Sequence, residues 1–130
     1  MKWRQCCKQA ERWLEDECER ARLAITISNI ALKGKSLGVR LTRQEKENTK
    51  DRFLENLYEC LCWLHNTFKT GVPKEVTNLK EDLTEHLELY VNALHVLKDK
   101  AEKSKDLKGN REVVNVIHGC IDLLIKKITS

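Results

Sequence analysis

The stretch Val76–Ala101, VTNLKEDLTEHLELYVNALHVLKDKA, places apolar residues seven apart at Val76, Leu83, Tyr90 and Leu97, with Leu79, Leu87, Leu94 and Ala101 interleaved. A seam at that spacing is one face of an α-helix packed against neighbours. Working outward, the same three-and-four periodicity recurs on both sides. Upstream, Phe53, Leu54, Leu57, Cys60, Leu61, Leu64 and Phe68 form a seam that Gly71 and Pro73 close, Gly by tolerating positive φ and Pro by lacking an N–H. Thr42-Arg43-Gln44-Glu45 opens it with the form of a capping box. Downstream, Asn110 is placed to cap a last helix whose face reads Val113, Val114, Ile117, Cys120, Ile121, Leu124 and Ile128. Apolar residues from Trp3 to Leu32 read as one further helix, with Glu17 and Ser28 as polar members of its seam.

The reading is an all-α single domain over residues 1–130. It is an elongated, antiparallel up-down-up-down four-helix bundle with helices at about 3–32, 43–69, 74–103 and 111–128. Composition agrees, because the chain has only five Gly and one Pro, too few turn residues for a sandwich or barrel.

A charge balance of +4 does not by itself announce a nucleic-acid binder. The sequence shows neither a secretory leader nor an apolar run of membrane-spanning length. Six cysteines, Cys6, Cys7, Cys18, Cys60, Cys62 and Cys120, fall inside helical segments rather than loops, which favours reduced thiols in a cytoplasmic or nuclear protein. The competing arrangement is an extracellular bundle with disulfides. Gly34-Lys35-Ser36 resembles the end of a phosphate loop, but Asn29 stands where a Gly is required and a helix precedes it instead of a strand. Cys60 and Cys62 point apart on a helix, so a metal would need Cys62 and His65 with Cys6 or Cys7 from another helix. The more ordinary role for these thiols is as small buried hydrophobes. His65, His86, His95 and His118 are scattered, and the acids and bases from Glu11-Arg12 to Glu19-Arg20 read as a solvated face. No enzyme, cofactor, metal or small-molecule substrate is expected.

Two features carry a functional expectation. The first is surplus hydrophobicity away from the seams: Leu23, Ile27 and Ile30 in the first helix, Leu89 and Val96 in the third, and Val116 and Leu123 in the fourth. Gly119 lies between the last two, where a missing side chain lets another backbone approach. These residues are the expected docking surface of an adaptor-like interaction module that binds a protein partner or a second copy of itself. The alternative is an anion-binding basic end. Up-down topology would juxtapose the 33–52 and 98–111 segments, with Lys33, Lys35, Arg40, Arg43, Lys105 and Lys108 reading phosphates of lipid headgroups or nucleic acid.

Overall fold

The computed structural model describes residues 3–33, 42–107 and 110–130, and these are all-helical, with no strand among them. The helices are α1 (Trp3–Trp13), α2 (Glu17–Leu32), α3 (Arg43–Thr70), α4 (Thr77–Leu83), α5 (Leu87–Lys103) and α6 (Arg111–Thr129), with a 3-10 turn at Thr84–His86 between α4 and α5.

The caps of α3 and α6 fall where the sequence places them. Thr42 accepts from the Glu45 N–H at 3.1 Å. Gly71 closes α3 at φ 75, donating its N–H to the Thr67 carbonyl at 2.8 Å. Asn110 accepts from the Val113 N–H at 3.4 Å.

The two other expected helices are each divided. The run 3–32 breaks after Trp13, and Asp16 caps α2 by accepting from the N–H groups of Cys18 and Glu19 at 2.7 and 3.2 Å. Arg20 holds the junction: it is only 7% exposed, and its Nη1 donates to the carbonyls of Leu14 and Glu15, the latter at 2.9 Å. Those carbonyls belong to the end of α1, which has no further turn of its own to satisfy them. The break also shifts the helical phase. Arg20, Ala24, Ile27, Ser28 and Ala31 are the buried residues of α2, whereas Glu17, Cys18 and Ala21 are exposed and Ile25 is 47% exposed.

The run 74–103 breaks at the 3-10 turn, where His86 takes φ −129 and ψ 41. Hydrogen bonds trace the consequence. Trp63 Nε1 donates to the Lys74 carbonyl and Asn56 Nδ2 to the Asp82 carbonyl, so α4 descends along α3. Tyr90, eight residues further on, is still beside Asn56 at 3.0 Å and stacks on Phe53 at 4.5 Å between ring centroids. The chain therefore bends away from the axis of α4. By its end α5 has reached α6, through Lys98 to Asp122 at 2.8 Å and Glu102 to Arg111.

α1 packs against α3 and α6, α2 against α3 and α5, and α5 against α6. Their shared core includes Leu14, Ile27, Phe53, Leu57, Leu61, Leu64, Leu94, Leu97, Ile117 and Leu124. Full burial of each large aliphatic side chain contributes roughly 1.5–3 kcal/mol.

His65 lies half-buried on α3, with its Nε2 inside the protein and without a hydrogen-bond partner. Burial, aided by the positive charge of Arg20, holds its pKa below the ordinary histidine value. The folded protein thus resists a proton that the unfolded chain accepts, so the contribution of His65 is complete above the unfolded value near 6.5 and is lost as pH falls below it. Thermal melts should show stability declining from pH 7 to 5, with His65→Gln reducing that decline. An unchanged slope in the variant would assign the pH dependence to other groups.

Candidate docking groove

The N-terminal turn of α1, the segment after α3 and the outer flank of α6 meet at one place on the surface. Each is positioned by an element of the fold. The left-handed conformation at Gly71 turns the chain out of α3, and the Trp63 hydrogen bond anchors the chain again at Lys74, leaving Val72 and Pro73 between two fixed points. Trp3 begins α1 and rests against this turn, with its indole nitrogen 3.6 Å from where a Cβ on Gly71 would stand. α6 gives its inner face, including Val113, Ile117, Ile121 and Leu124, to the core, and its flank carries Val116, Gly119 and Leu123.

Between these parts lies a groove of about 430 Å³, lined by Trp3, Pro73, Asn115, Val116, Gly119, Cys120 and Leu123. None of the lining side chains is charged at neutral pH, since burial pushes the Cys120 thiol up to about 12. Trp3 is 46% exposed and Val72, next to the groove, is 64% exposed. A Cβ placed on Gly119 meets nothing within 4 Å, so the floor is open there.

Three of the off-seam residues therefore share one surface: Val116, Gly119 and Leu123. The others do not join it in the same way. Like Val116 and Leu123, Leu23, Leu89 and Val96 are half-buried against core side chains, but they do not line this groove, and Ile30 is 44% exposed on α2. Ile27 requires a correction. It is a fully buried core residue rather than part of an outer stripe, because the break at Leu14–Asp16 rotates α2 relative to a continuous helix. Exposed Ile25 instead lines a separate recess of about 380 Å³ with Ala21, Ala24, Leu54 and Tyr58, bordered by Glu55 and Glu59. Trp3 and Pro73 were not expected as groove walls. The available signal was topological, since antiparallel pairing puts the start of the first helix beside the end of the next.

Lys33, Arg43 and Lys105 are exposed, and Arg43 lies 3.8 Å from Glu47; Lys35, Arg40 and Lys108 lie outside the described residues. Asn110 Nδ2 donates to Gln9 Oε1 at 2.6 Å, so the start of α6 lies beside α1.

All six cysteines are free thiols. Among the described residues no three of His, Cys, Asp or Glu converge in a metal-binding group, so Cys62 and His65 are not joined there by Cys6 or Cys7 in such a group. No helix of the described residues is long and apolar enough to cross a membrane. Comparison with protein-family models, curated proteins and solved structures finds no match to this chain.

Proposed function

We propose that this chain is a non-enzymatic interaction module, cytoplasmic or nuclear, which docks a protein helix in the groove bounded by Trp3, Pro73 and the outer flank of α6. The observation that carries this reading is the groove itself: an uncharged apolar recess with an exposed tryptophan on one wall and a helical glycine, open to solvent, on its floor. Apolar grooves of this kind accept an amphipathic helix through residues spaced three and four apart. The architecture that presents the groove is best read as a four-layer antiparallel bundle in which α1–α2 and α4–α5 are each one bent layer.

Gly119 gives a test that separates docking from folding. Gly119→Ala should raise stability by roughly 0.5–1 kcal/mol, the ordinary helix preference for Ala, because the new methyl group enters open space. Gly119→Leu should also stay folded by circular dichroism while filling the groove. A binding protein isolated with the wild type and then purified should lose at least tenfold in affinity for Gly119→Leu, on the order of the 1.4 kcal/mol expected for an interface position. Unchanged affinity between the purified components would overturn the reading, as would the absence of both hetero- and self-association.

A further inference from the structure

The flank of α6 that lines the groove has an internal symmetry. Glu112, Val116, Gly119, Leu123 and Lys126 follow one another at intervals of four and three along one flank of the helix, with Glu112, Gly119 and Lys126 exposed and Val116 and Leu123 half-buried at the edge of the core. Read backwards about Gly119, the stripe reproduces its own chemistry. Val116 exchanges with Leu123, and Glu112 exchanges with Lys126 and its neighbour Lys127, while Gly119 stays at the centre.

We propose that the occupant of the groove is a second copy of this chain, its α6 lying antiparallel to the first across a two-fold axis at Gly119; this rests on the docking function proposed for the groove. A two-fold interface requires that whenever residue i meets residue j, residue j also meets residue i. The stripe satisfies this for its apolar and its charged members together. Val116 of each copy packs on Leu123 of the other, and Glu112 of each faces Lys126 and Lys127 of the other. A parallel arrangement would instead set Glu112 against Glu112 and Lys126 against Lys126. At the crossing point no side chain stands between the two backbones, and the space above Gly119 is open.

The remaining exposed groups fit the same arrangement. One helix face is a small interface compared with the roughly 800 Å² per partner of a standard one. Trp3 and Val72, at 46% and 64% exposure beside the groove, extend the apolar surface on each copy. Lys126 is exposed in the last turn of α6, and Glu112 is exposed in the first, so both can reach across without disturbing the core. Glu112 also has a neighbour within its own chain. The second copy adds cations to its surroundings.

Sedimentation equilibrium on the full chain and its variants tests the proposal. The wild type should show a concentration-dependent monomer–dimer equilibrium. Glu112→Lys should weaken the dimer by roughly tenfold, as should Lys126→Glu combined with Lys127→Glu, because each reversal acts twice across the axis. Combining all three substitutions in one chain should restore association, and mixing the two reversed variants should give a heterodimer in preference to either homodimer. Gly119→Leu should be monomeric and folded. A wild type that is monomeric throughout overturns the proposal, as does a dimer indifferent to both charge reversal and Gly119→Leu. A monomeric wild type whose groove still binds a different purified protein in a Gly119-dependent way would overturn the second copy and leave the docking function in place.

Discussion

Ile27→Glu is expected to abolish the cooperative thermal transition, whereas Ile25→Glu and Ile30→Glu are each expected to melt within about 1 kcal/mol of the wild type. Ile27 has no exposed surface and packs in the core shared by α2 and its neighbours, while Ile25 and Ile30 are 47% and 44% exposed. Removing a buried aliphatic side chain costs about 2–5 kcal/mol. Placing a carboxylate there without a partner adds several more, or forces it to bind a proton. Together these approach or exceed the whole stability of a domain this size, about 5–15 kcal/mol. A continuous first helix would give a different order, with Ile25 in the core and Ile27 and Ile30 outside together. Thermal melts of the three variants therefore report directly on the break between α1 and α2. A folded Ile27→Glu with an unfolded Ile25→Glu would restore the continuous helix.

Arg20→Met is expected to cost about 2–4 kcal/mol in urea denaturation. Hydrogen bonds from a charged group are worth roughly 1.5–3 kcal/mol each, and the guanidinium makes two, to the carbonyls of Leu14 and Glu15. Both acceptors lie at the interrupted end of α1, and losing the donor leaves the Leu14 carbonyl buried with no replacement. Part of the cost is offset, because Arg20 Nε is itself buried without a partner and methionine removes that penalty. Arg20→Lys keeps the charge but not the planar fork, so it should recover less than half of the loss. A stability for Arg20→Met within about 1 kcal/mol of the wild type would mean that the junction does not depend on this side chain.

The two divided helices show where sequence reasoning reached its limit. Asp16-Glu17-Cys18-Glu19 has the same capping form as Thr42-Arg43-Gln44-Glu45, so the first break was legible in principle. It was hidden because apolar residues continue at helical spacing on both sides. The correct phase, through Arg20, Ala24, Ile27 and Ala31, requires a buried arginine in the seam, against the ordinary preference of charge for water. The second break has no comparable signal. Thr84-Glu85-His86 contains neither Gly nor Pro, and the heptad of Val76, Leu83, Tyr90 and Leu97 runs across it undisturbed. Periodicity reports which residues face inward, not whether the axis is straight.

α3 and α6 were legible because Thr42, Gly71 and Asn110 each have a local chemical reason to end or begin a helix, independent of tertiary contacts. The groove was half legible for a similar reason. Val116, Gly119 and Leu123 belong to one helix, so a wheel projection collects them. Trp3 and Pro73 come from distant parts of the chain, and only the fold brings them to α6.

The central claim is that a protein docks over Gly119. A photo-activated cross-linker introduced at exposed Asn115, on the rim of the groove where it leaves Gly119 unfilled, and, as a control, at exposed Arg22 on α2 tests it most directly, with the adducts located by mass spectrometry. The expected result is a defined intermolecular adduct from position 115, falling on Leu123 or its neighbours in a second copy, and none from position 22. No intermolecular adduct from position 115, or equal and unspecific labelling from both positions, would contradict it.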